Sequence, residues 1–226
     1  MTRPQPSTAT ATARQLMITA ERLFAEHGLA GVSLRQIASE AGSANSSAVH
    51  YHFGSKEGLV EAIVAHRVAD LAQRRTLLKA RLDPDDLRQR LEAHLLPVIE
   101  LAESPDSHYV SFLDQLNRGG RWRDVLPRQR EVTQAQEEFL ADMRRLLPEV
   151  EEPVRTMRIG QVQAFTLNAA AERERARAAG DEVMPFGLFV TTLVDGFAGY
   201  VRAPVSDGAR RFLTLPQPPP QPLVHF

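Results

Sequence analysis

The chain contains no cysteine among its 226 residues. Disulfides, thiolate metal sites and cysteine nucleophiles are therefore excluded. It also has almost no net charge: 27 Lys and Arg stand against 28 Asp and Glu, giving −1. Residues 1–60 carry five cations (Arg3, Arg14, Arg22, Arg35, Lys56) and four anions (Glu21, Glu26, Glu40, Glu57). Bulk attraction to a polyanion is absent, so any nucleic-acid contact must rest on where single cations and helix N-termini sit. No apolar run approaches the ~20 residues that cross a bilayer. The opening MTRPQPSTATATARQ has no apolar stretch of the secretory kind. The expectation is a cytoplasmic protein with no membrane partner. Sustained strand alternation, internal repeats and heptads are missing, as are a Gly-rich phosphate loop, a G-x-S-x-G elbow and an H-E-x-x-H pair. His50 and His52 are two apart and project from different sides of a helix, which is poor geometry for one metal ion. The remaining histidines named here, His27, His66, His94 and His108, are scattered. Neither a metal nor a cofactor is expected, and no activated nucleophile or catalytic carboxylate pair argues for an enzyme.

What is present is helical patterning in a chain that is 43% hydrophobic and 24% charged, which suits one or two globular domains. Residues 1–12, rich in Pro, Thr, Ser and Ala, read as disordered. Leu16, Ala20, Leu23 and Phe24 recur at helical spacing and predict a helix over 13–27, stopped by Gly28. Ser33-Leu34-Arg35-Gln36 is a capping box that starts a second helix. That helix ends at Gly42, and a short third helix carries His50 to Phe53. Ser55, with Glu57 behind it, caps a long helix through Leu59, Ile63, Val64, Val68 and Leu71 to about Leu82. Asp83-Pro84-Asp85 breaks it. Further helices are predicted near 85–103, 107–118, 127–147, 152–179 and 185–202, separated by proline or glycine. From Pro204 onward, with PQPPPQP at 216–222, an extended tail is expected.

Two short helices around a glycine-containing turn form a helix-turn-helix, whose second helix can enter a DNA major groove. The stretch AGSANSSAVHYHFGSKEGL at 41–59 carries more than that. Leu23-Phe24, Ile37-Ala38, Ala41-Gly42, Tyr51-His52-Phe53 and Ser55-Lys56-Glu57-Gly58-Leu59 stand in the order and spacing of the TetR signature. Over residues 13–60 the chain resembles TetR-type (tetracycline-repressor-like) transcriptional regulators. Beyond residue 60 the likeness is architectural. Two departures stand out: the loop after Gly42 is one residue longer than the commonest form, and His50 occupies a position where the family often has tyrosine.

The resemblance implies an all-α protein: a three-helix DNA-binding head at 13–60, a helical ligand-binding and dimerisation domain at 61–203, and a tail at 204–226. It implies a regulator, most often a repressor, that binds a palindromic double-stranded operator as a homodimer and is released by a small organic molecule. Asn45 is expected as N-cap of the third helix, with Ser46, Ser47 and His50 facing the groove and Tyr51 beside them. Ser33, Arg35 and Gln36 open the second helix, where arginine can read guanine through two parallel hydrogen bonds. Lys56 takes the family's phosphate-contacting position. Phe53 and Val49 read as core. A pocket among the middle helices would draw on His66, His94, Tyr109, Phe112, Leu116 and Trp122, with Phe165 and Asn168 from the following helix. The apolar stripe Phe186, Phe189, Val190, Leu193, Val194, Phe197 and Val201 would pair subunits as half of a four-helix bundle. Two alternatives remain beside this reading: an architectural DNA-binding protein without a ligand, and a helical enzyme with a structural head.

Overall fold

A computed structural model describes residues 8–43, 45, 47–105, 107–120 and 129–213. The expected roles of Ser46 and Trp122, and the proline run at 216–222, lie outside these residues. The described residues form helices and no strand. In chain order they are α1 (Thr8–Gly31), α2 (Leu34–Glu40), α3 (Ala48–Phe53), α4 (Lys56–Arg81), α5 (Leu87–Leu101) and α6 (Tyr109–Arg118). Then follow α7 (Arg130–Leu146), α8 (Val154–Ala179), α9 (Phe186–Arg202) and α10 (Asp207–Leu213).

Two of these helices correct the sequence reading at its edges. α1 begins at Thr8, five residues ahead of the expected start, because the Thr-Ala-Thr-Ala run holds no proline after Pro6 and alanine favours helix. It passes Gly28 at φ 70°, a kink after which one further turn is added. α10 forms where an extended tail was expected. Ser206 starts it by accepting the Ala209 amide at 3.2 Å, and Arg210 ties it to Glu151 at 3.2 Å. Seven residues without proline suffice for two turns.

One contiguous apolar core runs from Leu16 in α1 to Val205 after α9. The head is therefore not hung on a loose linker. α6 packs between α1 and α8, while α9 packs chiefly on α5. Phe24 of α1 stacks on Phe112 of α6 with ring centroids 6.1 Å apart. Gln115 of α6 donates to the Ala25 carbonyl at 3.4 Å.

The start of α6 shows how the junction is held. Its N-cap residue, His108, makes no side-chain capping bond, so the orphan amides of the first turn need acceptors from elsewhere. Glu174 of α8 supplies them, accepting from the Val110 amide at 3.2 Å and the Ser111 amide at 2.7 Å. Glu21 of α1 accepts from the His108 amide at 3.2 Å. Both carboxyls are buried, and desolvation raises their pKa above the ordinary 4.5, against the lowering effect of those amide bonds. The folded chain thus holds these protons more tightly than the unfolded one. Any stability they contribute is full below the unfolded pKa and is lost as pH rises through the folded value. Glu174→Gln removes one such titration. The melting temperature of wild type minus that of E174Q should shrink as pH rises above the ordinary 4.5 of the carboxyl. A difference that widens with pH would contradict this account of the junction.

α9 departs from expectation in which face it buries. Val190, Val194, Phe197 and Val201 are buried within the chain. Phe186 and Phe189 are half-buried beneath the Arg173 guanidinium, which lies 5.7 and 5.0 Å from their ring centroids. Leu193 is half-buried as well. Four of the seven stripe residues thus face their own chain. The outer face carries Leu188, Thr192, Gly196, Gly199 and Tyr200, and a Cβ added at Gly187, Gly196 or Gly199 would meet nothing within 4 Å. Phe165 and Asn168, expected in a pocket, belong to this outer surface of α8 or its margin. Phe165 is 58% exposed and touches Phe197 edge-on at 5.8 Å. Asn168 is half-buried.

Candidate nucleic-acid interface

Residues 8–60 build a three-helix head whose interior is Leu16, Leu23, Phe24, Ile37, Val49 and Leu59, each 1% exposed or less. Val49 is core as expected, and Phe53 packs against it partly buried. Ser33 caps α2 by accepting the Gln36 amide at 3.1 Å. The reciprocal half of the capping box is not made, because the Gln36 side chain donates to Glu40 at 3.0 Å. Arg22 of α1 reaches the same Glu40 at 2.6 Å and Glu26 at 3.1 Å. The bond from Gln36, then the one from Arg22, holds the Glu40 carboxyl below the usual carboxylate range. This network fixes α2 against α1 and keeps acidic Glu40 paired beside the exposed face.

Gly42 at φ 69° turns the chain out of α2. The expected N-cap of α3 moves: Ser47, not Asn45, occupies the N-cap position, with no side-chain capping bond. Asn45 instead accepts the Ser47 amide on its Oδ1 at 2.9 Å, an Asx turn one step earlier. Short polar side chains favour such local bonds over extending a helix, and α3 starts late for that reason. At its far end His50 Nδ1 lies 2.7 Å from the Gly54 carbonyl. A carbonyl only accepts, so Nδ1 carries a proton. In the neutral ring Nε2 is then an acceptor.

The resulting outer face presents Arg35 from α2 with Asn45, Ser47, His50 and Tyr51 at α3, all exposed. Tyr51 is 80% exposed. Its ring is braced edge-on against His52, with centroids 4.9 Å apart.

Lys56 does not join that face. Its ammonium donates to the carbonyls of Leu29 and Val32 and lies 5.5 Å from the Phe24 ring centroid. The side chain fastens the start of α4 to the α1–α2 corner, satisfying carbonyls freed by the Gly28 kink. Only its backbone amide remains at the helix N-terminus. A second device at this corner has no reading from spacing alone. A Cβ on Gly58 would stand 2.1 Å from the Phe53 carbonyl oxygen, so the α3–α4 corner closes only around glycine. Ser55 caps α4 by accepting that same Gly58 amide at 3.0 Å.

The middle residues divide differently from expectation. His66 is exposed on α4; it lies on the side away from Val64 and Val68, which are buried. Phe112 and Leu116 are wholly buried, facing α1 as core. Tyr109 is buried beside Arg67, whose guanidinium lies 5.8 Å from its ring centroid. It borders a narrow apolar crevice of about 20 Å³. Among the described members of the expected set, His94 alone lines a cavity of about 250 Å³ between α4, α5 and α7. There its ring stacks on Phe139 with centroids 3.7 Å apart. Arg75 and Arg90, absent from the sequence reading, line the same cavity. A signal for both existed: Arg75 continues the apolar series Val64, Val68, Leu71, and Arg90 sits between Leu87 and Leu91. Each is a charge on an apolar helical face.

A helix-turn-helix head with an exposed polar α3 is fused through α4 to an all-helical body. Residues 16–63 match the family described as bacterial regulatory proteins, tetR family. Comparison with curated proteins gave no match. Among solved structures, a tetR-family transcriptional regulator from Streptomyces coelicolor is 22% identical, covering 84% of this chain and 80% of that one at a TM-score of 0.51. The fatty acid degradation regulator FadR from Bacillus halodurans is 12% identical over 88% and 99%, with a TM-score of 0.53. SmeT in complex with triclosan is 21% identical over 93% and 100%, with a TM-score of 0.52. At these identities the likeness is one of fold. Among the described residues, no helix is long and apolar enough to cross a membrane, and no cluster of three metal-ligating side chains occurs.

Proposed function

We propose that this chain is a ligand-responsive repressor. It binds a palindromic operator as a dimer, acts in the cytoplasm, and releases DNA when a small organic molecule enters the cavity between α4, α5 and α7. The observation that carries the reading is the course of α4. Its 26 residues span about 39 Å at 1.5 Å per residue. Its first turn is fastened to the α1–α2 corner by Lys56, and its residues 72–79 wall the cavity. A molecule that favours one position of this helix also favours one position of α3, which is the coupling a two-state regulator needs. SmeT, a fold relative, was solved with triclosan bound, which supports a small organic ligand for this architecture. A larger groove of about 450 Å³ opens between α1, α6 and α8. Its central charge is already matched: Asp114 pairs with Arg118 at 2.9 Å and Arg175 at 3.6 Å.

Pairing of subunits through the outer faces of α8 and α9 agrees with exposed Met157, Phe165, Leu188 and Tyr200 and with the open glycines between them. Contact with DNA is assigned to Arg35, Asn45, Ser47, His50 and Tyr51, with Ser33 and Gln36 shaping the start of α2. The experiment is operator titration by wild type, Arg35→Ala and Lys56→Met. R35A should lose roughly 1–3 kcal/mol and relax preference at one base position, with unchanged thermal stability. K56M should lose about 1–3 kcal/mol of folding stability, because two carbonyls lose their donor. Full operator affinity in R35A would remove α2 from the interface. An unaltered melting temperature in K56M would return that lysine to the phosphate role.

A further inference from the structure

The cavity between α4, α5 and α7 has a back wall of unusual chemistry. Arg75 and Arg90 are each only 7% exposed. Among the described residues Arg75 makes one bond, from Nε to the His94 carbonyl at 3.2 Å. The terminal nitrogens of Arg90 reach the Lys79 and Leu82 carbonyls at 3.4 and 3.5 Å, and its Nε has no partner. Among the described residues no carboxylate lies within 4.0 Å of either guanidinium. The acids that line the cavity do not serve them. Glu138 and Asp142 are held by Lys79 at 2.9 and 3.5 Å, and Glu131 is exposed at the start of α7. Two buried cations without a counter-charge are costly unless something pairs with them. Desolvation accordingly lowers the Arg75 pKa to about 10. The remaining walls include Ala72, Ala93, Ala135 and Phe139, which suit a carbon skeleton.

Building on the sensor reading above, we infer that the molecule taken by this cavity is a small organic carboxylate, its anionic head on Arg75 and Arg90 and its apolar part against Phe139 and the alanines. Guanidinium matches carboxylate through two parallel hydrogen bonds, and water exclusion strengthens the pair. Size agrees. An apolar cavity of about 150 Å³ holds benzene, so about 250 Å³ takes a ring, or a short chain, together with a carboxylate. Inorganic phosphate would leave the apolar wall unfilled.

The experiment is a thermal-shift comparison on the full chain. Benzoate, phenylacetate, hexanoate and 3-methylbutanoate are each set against their own carboxamides, with inorganic phosphate as a charge control, at ~10 mM. At least one acid should raise the melting temperature by ~2 °C or more beyond its amide and beyond phosphate. Arg75→Met should abolish that shift while leaving the ligand-free protein no less stable, because it removes an unpaired buried charge. Equal shifts from acid and amide, no shift from any acid, or a shift that survives in R75M would overturn the inference. So would an R75M protein that melts well below wild type, since Arg75 would then be a structural strut. Operator titration in parallel separates the two readings. Arg75-dependent acid binding in a chain that ignores DNA would leave this inference standing and sink the regulator. Operator release by uncharged compounds alone would do the reverse.

Discussion

Gly58→Ala should unfold the corner between α3 and α4 and abolish operator binding. The reason is steric and local. The added Cβ would stand 2.1 Å from the Phe53 carbonyl oxygen, and that atom is backbone, so no flexible side chain can swing aside. Opening the corner would break the Ser55 cap on the Gly58 amide and lift Lys56 from its carbonyls. A cost of about 3 kcal/mol or more is expected, at the upper end for overpacking. The control is Gly31→Ala, whose Cβ would have its nearest neighbour, the His27 Cβ, at an ordinary 3.6 Å. It should leave stability unchanged or raise it by about 0.4–1 kcal/mol. Thermal melting and operator titration of the two variants read the difference. A G58A protein that melts and binds like wild type would mean the corner is not the rigid joint described here.

The second large effect concerns assembly. Leu188 is 55% exposed on the outer face of α9, so Leu188→Glu should leave the subunit folded. On the proposed dimer that face is covered, and the introduced carboxylate would be buried opposite its own symmetry copy. Sizing should show a folded monomer. Operator affinity should fall roughly 100-fold or more, because two linked heads no longer engage two half-sites. Val194→Asp provides the contrast. Val194 is buried inside the chain, and the charge there should unfold the subunit itself. If L188E remained a dimer while binding DNA fully, the subunits would pair through another surface.

The head was readable because its determinants are local: Ser33 and Ser55 cap at fixed offsets, glycines stop helices, and Phe24 and Ile37 recur at helical spacing. Where two local devices compete, spacing misjudged the outcome, as with Asn45, which forms an Asx turn while Ser47 takes the N-cap position. Lys56 and Gly58 were recognised as members of a motif, but their work depends on carbonyls at residues 29, 32 and 53, and no pattern of spacing reports those distances. In α9 Val190, Val194, Phe197 and Val201 are covered by their own chain, and an apolar stripe alone does not say whether its own chain or another covers it. The cavity was hardest to foresee. His66 and His94 look alike in sequence, yet one faces solvent and the other stacks on Phe139. A cation continuing an apolar series, as Arg75 does, was the available clue.

The most direct measurement of the central claim is fluorescence-anisotropy titration of a short palindrome from the region upstream of this coding sequence, against a scrambled duplex of equal length. It is repeated over a salt series with wild type and the double variant Arg35→Ala, Tyr51→Ala. The account predicts tight, salt-dependent binding by wild type that exceeds binding to the scrambled duplex by ~10³-fold or more, and loss of that preference in the double variant. Equal affinity for both duplexes, or a double variant that still distinguishes them as wild type does, would contradict it.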